Sequence, residues 1–127
     1  MRVFAQVSGK DMTTEREERL LARVEDAFGV ISVYEVDDYR FLEFGDAIEQ
    51  SCVFTADPSW LEYDYTRAML VGALCHRQPE SALFLGLGAG TLTQACMKFL
   101  PLDDIEAIEL RPDVPVSYTH LTLPTKR

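Results

Sequence analysis

Apolar and polar positions alternate most regularly between Val30 and Thr55. Val30, Ser32, Tyr34 and Val36 interleave with Ile31, Val33 and Glu35, and these β-branched and aromatic residues favour strands. Asp37-Asp38 reads as a turn, Tyr39 to Phe44 as the returning strand, Gly45-Asp46 as a second turn and Ala47 to Thr55 as a further extended piece. Upstream, Thr14 and Glu17 have capping-box spacing, and Leu20, Leu21, Val24 and Phe28 fit a helix. Leu20, Ala22 and Val24 also fit period two, with Gly29 as a turn. The strand over about 20–25 is the preferred reading, because a hairpin follows it. Val3, Ala5 and Val7 form a short alternating piece before it, and 13–19 is a charge-dense, exposed stretch.

Asp57-Pro58 breaks the alternation, and Ser59 to Arg77 turns helical. Asp57 or Ser59 is the candidate cap, with Pro58 or Trp60 in the first turn. Leu61, Tyr65, Ala68, Met69, Gly72, Ala73 and His76 fall near one face. Trp60 reads as an anchor of the helix start, and Tyr63 and Tyr65 as packing residues. Ala82-Leu83-Phe84-Leu85 is a continuous apolar run, as expected of a parallel strand buried on both faces. Gly86, Gly88 and Gly90 follow, then a helix over 91–100 and a second apolar run, Ile105 to Leu110, carrying Glu109. Asp103 and Asp104 read as a solvated turn.

Strand, glycine turn, helix, strand and acid is the order of a Rossmann-like nucleotide site. Gly86 allows the sharp exit from the strand, Gly88 lets a ligand lie against the backbone, and Gly90 lets the helix pack close. Free N–H groups at the helix start can donate to the ligand. An acid at the tip of the next strand can accept from both ribose hydroxyls, which is the place of Glu109.

The composition narrows this little. The 127 residues are 47% hydrophobic and 26% charged, an ordinary globular balance. A net charge of −9 argues against a nucleic-acid partner held through phosphates. Cys52, Cys75 and Cys96 are scattered and lie in no metal-ligand spacing, which suits buried thiols, a reducing cytoplasm and no metal. The sequence has no apolar run long enough to span a membrane, and its N-terminus does not read as a secretory signal.

The spacing G-x-G-x-G, rather than G-x-G-x-x-G, resembles the first motif of S-adenosylmethionine-dependent methyltransferases and their relatives. Among these, the chain to Val114 is similar to the spermidine synthase-like proteins, the polyamine aminopropyltransferases. The likeness runs through Val33-Tyr34-Glu35, Arg40-Phe41-Leu42, Gln50-Ser51, Asp57-Pro58, Tyr65, Met69, Leu83 to Gly90 and Ile108 to Val114. It implies a small N-terminal antiparallel β-sheet domain over 1–57. A lead-in helix and the first β-α-β of a Rossmann-like methyltransferase fold would follow over 58–114, an α/β chain in all.

The implied ligand is S-adenosylmethionine or its decarboxylated form, used as co-substrate. Gln50 matches a glutamine near the ligand and Glu109 the ribose-binding acid. The resemblance also implies a small-molecule amine acceptor, and a homodimer in the parent protein. Two positions depart from the family's pattern. Ala89 stands where active members usually have an aspartate, and Tyr63-Asp64-Tyr65-Thr66-Arg67 where they carry Tyr-His-Glu. Acids there stabilise polyamine cations and orient the attacking nitrogen. Aminopropyl transfer is therefore the first reading, methyl transfer the second, and a non-catalytic adenosyl-ligand-binding or interaction domain the third.

Residues 115–127 share none of the preceding patterning and match one translated frame of a common transposon-based sequencing adapter. They are expected to be an artefactual tail, so the natural sequence is expected to break near Val114, with the catalytic residues downstream. A parallel sheet of two strands would keep an open edge and a bare apolar face. The polypeptide as written is then expected to be marginally stable or to aggregate, with no turnover.

Overall fold

The computed structural model describes residues 17–45 and 48–114. Val3 to Val7, Thr14, Ala47, His120 and the 115–127 segment lie outside the described residues. The structure is mixed α/β: a four-stranded antiparallel sheet, a two-stranded parallel sheet and two α-helices.

β1 (Glu18–Asp26), β2 (Gly29–Val36), β3 (Tyr39–Phe44) and β4 (Ile48–Phe54) form the meander in sequence order. The strand alternative at 20–25 is the one adopted. Period two then sorts the side chains. Ile31 and Val33 of β2, Leu42 of β3 and Val53 of β4 meet in the core, together with Ala89 and Val114 from the other end of the chain. Register is reinforced at the sheet surface: Glu35 of β2 pairs across both neighbours, with Arg19 of β1 at 2.6 Å and Arg40 of β3 at 2.9 Å. These two guanidinium groups, Arg40 foremost, hold the Glu35 carboxyl below its ordinary value.

The lead-in helix is shorter than its sequence suggests. α1 covers Asp64–Gly72, and a single 3₁₀ turn, Ala73–Cys75, ends it. The reason lies at Asp57. Its carboxylate accepts the N–H and O–H of Ser59 at 3.1 and 2.5 Å, and its carbonyl accepts the N–H of Trp60 at 2.9 Å. Asp57 thus caps a tight turn and not a helix. Tyr63 stays extended, and the helix begins after it with no side-chain cap. Arg67 Nε instead donates to the Leu61 carbonyl at 2.7 Å. The buried residues here are Ser59, Leu61 and Thr66, whereas Tyr65 and Met69 of the expected apolar face are exposed. Trp60 is also half exposed; its indole N–H donates to Glu62 and the Arg67 guanidinium lies over its ring.

β5 (Ser81–Leu85), α2 (Thr91–Phe99) and β6 (Asp104–Ile108) make the parallel unit. The helix and both strands are where the sequence places them, and Asp104 joins β6 as its first residue. Burial on both faces of β5 does not hold. Ala82, Phe84, Ile105 and Ala107 are partly covered, whereas Leu83, Leu85 and Ile108 are 57%, 80% and 53% exposed. With two strands among the described residues, one face of this sheet is left largely exposed. No described helix is long and apolar enough to cross a membrane.

Candidate functional site

The site is built where β5 runs into α2. The ladder ends with Gly86 N–H donating to the Ile108 carbonyl at 2.7 Å, and the chain then turns through three glycines with positive φ: Gly86 at 89°, Gly88 at 55° and Gly90 at 74°. Gly90 is the helix N-cap in the left-handed conformation. Gly88 is constrained twice. Its φ is costly for any L side chain, and a Cβ there would sit 3.1 Å from Ser51 Oγ. The space kept clear by its missing side chain is therefore filled by β4 on that side.

Ser51 is the contact that docks the loop. Its Oγ accepts the N–H of Ala89 at 2.8 Å in a buried bond between residues 38 apart. One residue away, Gln50 is the extra residue of a β-bulge: Leu42 pairs with Ser51 and Glu43 with Glu49, leaving Gln50 without a β3 partner. Bulges of this kind re-aim side chains and gather near sites. Gln50 is exposed, and its carbonyl receives the Tyr65 hydroxyl at 3.5 Å.

Glu109 lies immediately past the end of β6 and faces the loop. Its Oε2 accepts Leu87 N–H at 2.8 Å, and its Oε1 accepts Arg111 N–H at 3.0 Å. Burial pushes this carboxyl up, but the backbone N–H groups of Arg111, Leu87, Gly88 and Leu110 outweigh it and hold the group below its ordinary value. It is an anion near neutral pH, with Leu87 on one oxygen and Arg111 on the other as its direct backbone donors. The loop and the acid thus meet directly. Of the Gln50-Ser51 pair it is Ser51 that contacts the loop, while the Gln50 carbonyl meets Tyr65.

Other candidates fall elsewhere. An open groove of about 330 Å³ is lined by Asp57, Pro58, Ser59, Gln94, Met97 and Lys98, none of them an expected site residue. In it Lys98 Nζ lies 3.0 Å from Asp57 Oδ2 and 2.9 Å from Ser59 Oγ. Among the described residues no group of three His, Cys, Asp or Glu side chains is placed to hold a metal. Cys52 and Cys96 are buried as expected, but Cys75 is exposed. Burial, aided by Glu49 and Glu62, pushes the Cys52 thiol up to about 12, so it is not a nucleophile near neutral pH. Tyr63 and Tyr65 stack on each other at 5.8 Å, and the buried Tyr63 hydroxyl has no hydrogen-bond partner among the described residues.

The chain is 32% identical over 90 residues to a polyamine aminopropyltransferase of Vibrio vulnificus strain CMCP6, a match covering 66% of this chain and 29% of that protein. A polyamine aminopropyltransferase of Chromobacterium violaceum is 29% identical over 89 residues, covering 70% of this chain and 34% of its own. These matches support a spermidine synthase-like relationship. The chain spans only 29% and 34% of the length of these curated relatives. No protein-family model matches it, and no solved structure matches it.

The roles of two kinds of site residue escaped the sequence. Ser51 stands in the Gln50-Ser51 part of the likeness, but its docking role carries no local signal, since a serine in a strand is unremarkable until the loop is docked on it. Arg111 and Asp26 form a pair 85 residues apart, and no sequence spacing reports such a pair. Ala89, the departure in the glycine motif, is 1% exposed and sits in the core cluster with Ile31, Val33, Leu42, Val53 and Val114.

Proposed function

We propose that this chain is a portion of a spermidine synthase-like aminopropyltransferase and carries its adenosyl-binding side, within the start of a Rossmann-like domain. The observation that carries the reading is the direct joint between Glu109 and the glycine loop, Leu87 N–H to Oε2 at 2.8 Å. A strand-end carboxylate held beside a glycine turn suits two vicinal hydroxyls, and the ionised form accepts from both. The names of the two relatives support aminopropyl transfer to a polyamine, and on this reading decarboxylated S-adenosylmethionine is the preferred co-substrate and an amine such as putrescine the acceptor. The chemistry is in-line attack by a neutral amine nitrogen on the carbon next to the positive sulfur: the C–N bond forms as the C–S bond breaks, the thioether leaves, and the resulting ammonium gives up a proton. This chain's part is orientation: Glu109 on the ribose, the glycine loop under the ligand, Gln50 at its edge. The proposed setting is a cytoplasmic homodimer.

Methyl transfer is the second reading, favoured by one observation. The Ala89 methyl is in the apolar core, so this position offers no carboxylate to an amine cation.

Titration calorimetry with decarboxylated S-adenosylmethionine and with S-adenosylmethionine separates the readings. Tighter binding of the decarboxylated form supports aminopropyl transfer. The reverse order supports methyl transfer. Binding of neither, with the chain folded, leaves the non-catalytic reading.

A further inference from the structure

Glu109 is held at its Oε1 by the N–H of Arg111, so its position depends on what fixes Arg111. Arg111 is 5% exposed, although it stands just beyond a strand end and beside a proline. Its guanidinium grips Asp26 with two bonds, Nε to Oδ2 and Nη2 to Oδ1, both 2.8 Å. Nη2 also donates to the Gly29 carbonyl at 2.8 Å, and the group lies 4.3 Å from the centroid of the Phe44 ring. Asp26 in turn accepts the Phe28 N–H at 2.7 Å, so the partner is itself fixed by the β1–β2 turn. On the other side of Arg111, its carbonyl accepts the N–H of the fully buried Val114 at 3.0 Å.

We propose that Arg111 is a positioning residue for Glu109: its side chain clamps the exit of β6 to the antiparallel sheet, and its backbone N–H orients the carboxylate toward the glycine loop. The β1–β2 turn, through Asp26 and Gly29, thereby becomes part of the ribose site without touching the ligand. The inference rests on the reading of Glu109 as a hydroxyl acceptor. Two features set the clamp apart from an ordinary surface ion pair. It is bidentate, and the guanidinium lies over the Phe44 ring. A lysine at 111 keeps the charge but loses both.

The test uses 5′-methylthioadenosine and its 2′,3′-dideoxy counterpart as probes, titrated into the chain and its variants. In the wild type the ribose form is expected to bind about tenfold more tightly, the ratio that a charge-assisted hydrogen bond supports. R111M and D26N should bring that ratio near one, with R111K between. E109Q should do the same, and E109Q/R111M should lose nothing further. Retention of the wild-type ratio in D26N and R111K overturns the proposal, and so does an equal weakening of both probes. If R111M does not fold, D26N and R111K carry the test. If the wild type shows no ribose preference, the reading of Glu109 fails, and the clamp is judged without ligand. The Leu87 amide proton should then follow Glu109 during an acid titration in the wild type and cease to do so in D26N. An unchanged response overturns the clamp.

Discussion

In the four-stranded sheet Ile31, Val33 and Leu42 are at most 1% exposed, whereas in the two-stranded sheet Leu83, Leu85 and Ile108 are 57%, 80% and 53% exposed. Both sheets are rich in apolar residues, so composition does not separate them. Connection does. Antiparallel strands are joined by short turns and need only one covered face, while parallel strands need a crossover and coverage on both. The meander meets its requirement with neighbours in sequence plus Ala89 and Val114. The β5–β6 pair has one face partly covered and one largely exposed. The glycine loop stands on the boundary: its ladder bond goes to β6 and its Ser51 bond to β4.

The largest expected effect tests the contrast directly. Leu42→Ala empties a site that is fully buried and should cost about 2–5 kcal/mol, read as a fall in the urea midpoint. Leu85→Ala removes a side chain that is 80% exposed and should change stability by no more than about 0.5 kcal/mol. Equal shifts in the two variants would mean that the β5 face is covered in solution, and the contrast would fail.

The next two effects probe the boundary. Ser51→Ala leaves the buried Ala89 N–H without its acceptor, at about 1–3 kcal/mol. Hydrogen exchange at that amide should speed up while amides in β2 stay protected; a uniform change across the chain would place Ser51 in the general core instead. Gly88→Ala should cost about 1–2 kcal/mol through its positive φ. A Cβ there also meets Ser51 Oγ, while one at Gly86 meets nothing within 4 Å. Gly88→Ala should therefore be the more damaging of the two glycine changes by thermal melting, and combining it with Ser51→Gly should recover the difference. No recovery would show that strain alone accounts for it.

Periodicity made the meander legible. Val30 to Val36 and Tyr39 to Phe44 alternate, and turns at Asp37-Asp38 and Gly45 leave little choice of pairing. The loop and Glu109 were legible for a different reason: glycine spacing and the distance to the next strand end are local facts. What sequence could not supply was competition for hydrogen bonds and contact across long separations. Asp57 has the chemistry of a helix cap, yet Ser59 claims its carboxylate first, so α1 begins at Asp64. The apolar run Leu83 to Leu85 implies two covering layers, but a run states a need and not its fulfilment. Ser51 and Arg111 act on residues 38 and 85 positions away, where no spacing rule applies.

The smallest effect concerns acid, and it has opposite signs in the two regions. Glu49, on β4, faces Glu43 across the strand pair. Burial first, and the Glu43 charge second, raise its carboxyl above the usual 4.5. Glu109 is held below that value. A folded-state pKa that is raised adds stability below the unfolded value and loses it as pH climbs through the folded one, so Glu49 works against the fold near neutrality. A depressed pKa does the reverse: Glu109 stabilises above the unfolded value, and its contribution fades as pH falls through the folded one. Asp26 and Glu35 share the sign of Glu109, each lowered chiefly by hydrogen bonds from arginine side chains, so the whole protein should lose stability in acid. The two glutamates are isolated by difference. Between roughly pH 4 and pH 7, Glu49→Gln should raise the urea midpoint most at the upper end and least at the lower. Glu109→Gln should lower it at the upper end, with the gap closing as the pH drops below about 4. Parallel midpoint curves for wild type and both variants would show that neither carboxylate senses its surroundings, and Glu109 would lose its claim to be a group set apart by the loop.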